Sequence, residues 1–125
     1  MPSPAHDAHE LYVRARELMD AKDYEAAILL FERSASPSPH FKTLELLGEC
    51  YCNLGRFRSA VIPLAAATAL NMQARAPALL ADAFSRLNEG EDAVRFARLA
   101  LERSPGNRLA LEVLARSGAR EQTDG

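Results

Sequence analysis

A chain of 125 residues with 48% hydrophobic and 26% charged residues carries enough apolar side chain for one core, and too much to stay disordered. Its 15 basic and 17 acidic residues are spread along the whole length and leave a formal net charge of −2, which disfavours nucleic acid or anionic lipid as a partner. No apolar run approaches the ~20 residues that span a bilayer, and Met1 to Asp7 shows no basic stretch followed by an apolar one. A cytoplasmic location is the default expectation.

In chain order, residues 1–6 are expected to be disordered and a single domain is expected over 7–117. The first helix is expected at 7–21, with Asp7 as its N-cap and Glu10 three residues later completing a capping pattern. His6 and His9 stand three apart there, a spacing that can share a metal, but no further ligand cluster accompanies them and neither metal nor cofactor is expected. Lys22-Asp23 reverses the chain into a second helix at 24–35, and Pro39 follows its end.

The third helix, at 41–53, shows Leu44, Leu47, Gly48 and Tyr51 on one helical face. Its Cys50 and Cys52 point to different faces, so they can neither pair nor chelate one ion and are expected to be reduced residues of the core. Leu54-Gly55-Arg56 turns the chain into a fourth helix at 57–70, where Ala60, Leu64 and Ala67 repeat the face and Pro63 is expected to bend or disrupt the backbone. Helices at 74–88 and 90–103 flank Asn88-Glu89-Gly90.

After Pro105-Gly106-Asn107, a seventh helix at 107–117 is expected to cap the end, with Leu111 and Leu114 lying against Val94, Leu99 and Leu101. Leu109 and Val113 are expected to stay exposed and to allow a weak homodimer, and residues 118–125 to form a disordered tail.

These elements recur. Stepping by 33 residues gives Ala15, Gly48 and Ala81, then Ala27, Ala60 and Ala93, then Ser34, Ala67 and Ala100. Small residues recur where small residues began because two helix backbones come close there, while Tyr24, Phe57, Phe31 and Leu64 fill the space around the contact. The expectation is an all-α solenoid of antiparallel helix pairs, with repeats near 8–40, 41–73 and 74–107.

Leu44-x-x-Leu47-Gly48-x-x-Tyr51, followed by Phe57, Ala60, Leu64 and Ala67, resembles the tetratricopeptide repeat. The resemblance implies a right-handed superhelix whose first helices line a concave groove. It departs from the family in its period of 33, in Gly90 where an aromatic is usual, and in Met72 where repeat two would close on proline. Carried over position by position, the family's groove residues fall on Tyr12, Arg16 and Met19; on Glu45, Glu49 and Asn53; and on Arg75, Asp82 and Arg86. His9, Asp20, Lys42, Cys52, Ala78 and Ser85 complete the set, most of it polar and off the apolar stripe.

The expected function is therefore a non-catalytic interaction module that binds a peptide or helix of a partner protein. No phosphate loop, nucleophile elbow or zinc-protease motif is present to suggest an enzyme. Two alternatives are a small cytoplasmic chaperone resembling those of type III secretion translocators, although their extended N-terminal helical region has no counterpart, and a self-associating scaffold. The resemblance also implies that the Lys and Asn of a two-carboxylate clamp are missing, since Tyr12 and Arg16 stand in their place in repeat one. With Arg16, Arg75 and Arg86 alternating with Glu49 and Asp82, the expected ligand has mixed charge and an apolar anchor against Tyr12 and Met19. Tyr12→Ala with Arg16→Glu is expected to weaken binding and leave stability unchanged.

Overall fold

The computed structural model describes residues 4–36 and 39–124, with side chains described for 7–36 and 39–118. Among the described residues seven helices follow one another: α1 (Pro4–Asp20), α2 (Tyr24–Ala35), α3 (Phe41–Asn53), α4 (Phe57–Leu70), α5 (Arg75–Arg86), α6 (Gly90–Arg103) and α7 (Arg108–Asp124). No strand occurs among the described residues. Each helix packs against its neighbour in sequence, and α3 also touches α5 and α5 touches α7, whereas α2, α4 and α6 have no comparable contact with one another. The alternate helices α3, α5 and α7 thus form the inner, concave layer of a solenoid.

The period of 33 is visible in the backbone as well as in the side chains. Lys22, Gly55 and Asn88 all have positive φ, at 64°, 73° and 61°. At each of these turns the next amide reaches back across the helix end: Asp23 donates to Leu18 at 2.9 Å, Arg56 to Tyr51 at 2.8 Å and Glu89 to Phe84 at 2.9 Å. A left-handed residue followed by that bond is how a helix satisfies its last carbonyls before turning sharply. Only Gly55 adopts this conformation without a Cβ penalty. Lys22→Gly is expected to raise stability by about 0.5 to 1 kcal/mol, read as a higher denaturant midpoint with an unchanged slope; a lower midpoint would show that the turn tolerates lysine freely.

The inter-repeat turn after α4 lacks the family's proline, and polar groups hold it instead. Asn71 Oδ1 accepts from the Gln73 amide at 2.8 Å. Arg103 Nη1, reaching over from α6, donates to the carbonyls of Thr68, Asn71 and Gln73 at 3.1 to 3.2 Å. At the last turn, Asn107 Oδ1 accepts from the Ala110 amide at 2.9 Å and caps α7.

Two apolar clusters fill the interior. The first holds Ala15, Ala27, Ile28, Phe31, Leu46, Leu47 and Cys50 between α1, α2 and α3. The second runs from Ala60 and Leu64 through Leu80, Ala81 and Ala93 to Ala110 and Val113. Tyr51 packs against both and joins them. Cys50 lies in the first and Cys52 borders the second, and both are free thiols. Burial, followed by the field of nearby carboxylates, pushes each up to about 12, so almost no thiolate exists near neutrality.

Several expectations need correction. α1 begins at Pro4, which suits a first helical position because its missing N–H would be unsatisfied there anyway, so Asp7 lies inside the first turn and is not the N-cap. α4 is one continuous helix through the buried Pro63, so of the expected bend or disruption the disruption does not occur, and the Ser59 carbonyl left without its donor belongs to an exposed residue that water can reach. α7 extends to Asp124, beyond the expected end at 117. Its covering face is also rotated from the expected one: Ala110 and Val113 are fully buried and Leu109 and Leu114 pack beside them, while Leu111 is 49% exposed. With Val113 in the core, the apolar pair invoked for a homodimer through α7 is gone.

Candidate concave binding site

The inner face of the solenoid is built from α1, α3 and α5, with α7 closing one end. On α1, Tyr12 is half-buried with its ring edge-on to Phe31, centroids 6.0 Å apart, and its hydroxyl accepts from Arg16 Nη1 at 3.3 Å. That bond, then the charges of Tyr12, Asp20 and Glu49, holds the exposed Arg16 guanidinium above its ordinary value. Met19 is half-buried against the first apolar cluster, and Asn53 is exposed at the end of α3.

The centre of the face is a charge network between α3 and α5. Arg75 Nε lies 3.3 Å from Glu45 and Arg75 Nη2 lies 2.5 Å from Glu49, while Lys42 Nζ donates to Glu45 Oε2 at 2.7 Å. The Arg75 approach to Glu49 is an ion pair by distance without the alignment of a good hydrogen bond. Burial alone would lower the Arg75 guanidinium, but the two glutamates together raise it. Glu45 is the unusual member, with a side chain 0% exposed and its Oε1 buried without a partner.

Toward α7, Asp82 pairs with Arg86 at 3.3 Å and with Arg116 at 2.5 Å. Arg116 was not among the residues the sequence singled out. Continuing the period of 33 past residue 107 makes α7 the first helix of a fourth unit, but it sets Arg116 level with the buried Ala83 and Cys50, so residue order carried no signal for it.

The structure therefore brings together Glu45, Glu49 and Arg75, and separately Asp82 and Arg86, while Tyr12 and Arg16 form their own pair one helix away. Exposure sorts these charges by sign. The carboxylates of Glu45, Glu49 and Asp82 are 0%, 22% and 15% exposed, whereas Arg75 and Arg86 are 48% and 52% exposed. With Arg16, Lys42 and Arg116 added, five cations surround these three shielded carboxylates, while Asp20, close enough to act on Arg16, is the exposed acidic side chain of the groove positions. Among the described residues, no group of three His, Cys, Asp or Glu side chains could hold a metal ion, and no helix is long and apolar enough to cross a membrane.

A solenoid of antiparallel helix pairs whose inner helices carry an ordered row of charged side chains is a repeat scaffold with a charged concave face. The family model described as tetratricopeptide repeat matches residues 18–83, and the chain belongs to that family. Solved structures agree on the fold. The first such domain of Spaghetti (RPAP3), bound to the HSP90 peptide SRMEEVD, superposes with a TM-score of 0.88 at 21% identity, covering 94% of this chain and 95% of that one. The Arabidopsis OM64 domain superposes at 0.88 and 14% identity, covering 94% and 99%. PcrH from Pseudomonas aeruginosa superposes at 0.73 and 18% identity, covering 90% and 86%. No curated protein matches in sequence.

Proposed function

We propose that the protein is a non-catalytic interaction module whose concave face binds an acidic segment of a partner polypeptide. The observation that carries the reading is the sorting of charge by exposure: Arg16, Arg75 and Arg86 are exposed, while Glu45 is buried and Glu49 and Asp82 are largely shielded, with Asp20 the exposed exception. This reading is preferred to the mixed-charge ligand expected from residue order, because the carboxylates between α3 and α5 are less open to a ligand than the arginines beside them. Support by analogy comes from similar domains seen with HSP90 and HSP70 peptides. The groove set is Tyr12, Arg16, Met19, Glu45, Glu49, Asn53, Arg75, Asp82 and Arg86, with Arg16, Arg75 and Arg86 making the contacts and the carboxylates aiming them. A dedicated chaperone would hold its client in the same groove, so the client's identity separates the two uses.

The test begins with a partner copurified from the native host, identified by mass spectrometry and remade as an acidic peptide. Tyr12 packs on Phe31, so Tyr12→Ala would lower stability, contrary to expectation, and is a poor probe. Arg16→Glu with Tyr12→Phe keeps the ring and reverses the exposed charge. The expected result is binding at least about tenfold weaker with an unchanged melt, and parental affinity that falls steeply with salt. Equal affinity in the variant would move the binding face away from α1.

A further inference from the structure

One cavity adjoins the central charge network and shares Lys42 with it. A cleft of about 350 Å³ opens at the rim of the groove between the start of α1, the end of α2 and the start of α3, lined by Ala8, His9, Tyr12, Ser34, His40, Lys42 and Thr43. No acidic residue is among its lining residues, and α3 has none in its first turn. Three of the lining groups are basic.

The donors there are already aimed. His40 is the N-cap of α3, and its Nδ1 accepts from the Lys42 amide at 3.2 Å, which fixes the neutral imidazole's proton on Nε2. The ring is also stacked on Phe41, centroids 4.8 Å apart. The Leu44 amide is taken by the His40 carbonyl, so the Thr43 amide lies in the first turn with no acceptor inside the helix. Independently of the helix end, the Thr43 side chain is 5% exposed and lines the cleft, and its hydroxyl has no hydrogen-bond partner among the described residues. By contrast, the Ser34 hydroxyl at the same cleft is spent on the Ala8 carbonyl at 2.7 Å. The Thr43 oxygen is not among the enclosed atoms without a partner, so it keeps contact with solvent and stands unpaired at the cleft beside the first-turn amide and the His40 imidazole, with no acidic side chain in the lining.

We propose that this cleft binds one oxyanion, a carboxylate or phosphoryl group, against the Thr43 hydroxyl and amide, His40 Nε2 and Lys42 Nζ. Lys42 Nζ is held by Glu45 Oε2 at 2.7 Å, so its part in the site is to offer one of its two remaining N–H donors to the anion. That the anion is carried by the partner polypeptide rests on the groove reading above; the site itself does not.

The test titrates the full chain, labelled for amide NMR, with inorganic phosphate, with blocked phosphoserine and with blocked glutamate, using chloride at matched ionic strength as the reference. Saturable shifts centred on the Thr43 amide are expected with at least one probe, and the tightest probe names the source of the anion. Thr43→Val, which keeps the buried shape and removes the hydroxyl, is expected to weaken binding about tenfold. His40→Asn preserves a capping side chain and removes the imidazole donor, and is expected to weaken it several-fold even if the valine variant folds poorly. Shifts that never saturate, or that chloride reproduces, would overturn the proposal, as would affinity unchanged in the asparagine variant. Because Arg16 does not line the cleft, Arg16→Glu should leave this small-anion binding intact, so loss of the groove reading and loss of the cleft reading give different results.

Discussion

Replacing Ala60 with leucine is expected to lower stability by about 1 to 3 kcal/mol and the thermal midpoint by several degrees. Ala60 is fully buried in α4, where that helix meets α3, and it shares its cluster with Leu64. The room on the opposite side is already used up: a Cβ built on Gly48 of α3 would fall 2.5 Å from Leu64 Cδ2. Leu64 is itself 0% exposed and has no solvent to retreat into. Three added carbons at Ala60 must therefore push α3 and α4 apart, and the shift passes through Tyr51, which touches both apolar clusters. A melt that stays at the parental temperature would mean that Ala60 does not face α3.

This contact was readable in the sequence because it repeats. A residue forced to be small by backbone approach leaves the same mark at Ala27, Ala60 and Ala93, and three marks at one interval fix helix number, order and packing face together. The left-handed turn residues were half legible. Gly55 announces its conformation, whereas Lys22 and Asn88 adopt the same one because the tertiary arrangement of the flanking helices overrides local preference. α7 misled for the opposite reason. With no second helix after it, no repeat fixed its rotation, and an apolar pattern of Leu109, Leu111, Val113 and Leu114 is compatible with more than one buried face.

The binding face shows a different limit. Position within the repeat assigned Glu45, Glu49, Arg75 and Asp82 to the groove, but nothing in residue order says which member of an ion pair is underneath. That depends on side-chain length and on the neighbouring helix. A glutamate at Glu45 is held by Arg75 from α5 and cannot reach past it, while the longer arginine extends into the groove. Arg116 enters from some thirty residues further along the chain, a pairing that only packing of α7 on α5 creates.

The buried end of that network carries the last prediction. Arg75→Ala is expected to cost about 2 to 3 kcal/mol, below the ~3 to 5 kcal/mol typical of breaking a fully buried pair, because Arg75 is half exposed and solvent screens part of its charge. The loss falls on Glu45, whose Oε1 already lacks a partner and whose Oε2 would keep only Lys42. If a stranded carboxylate is the cause, removing it should cure the defect. Glu45→Met in the Arg75→Ala background is expected to recover most of the lost stability, since a side chain of similar volume fills the site without a charge to desolvate. The coupling between the two positions, read from a double-mutant cycle in denaturant, should exceed 1 kcal/mol. Additive effects would instead mean that Arg75 stabilises α5 through its own packing, and that Glu45 tolerates its burial without help from the neighbouring helix.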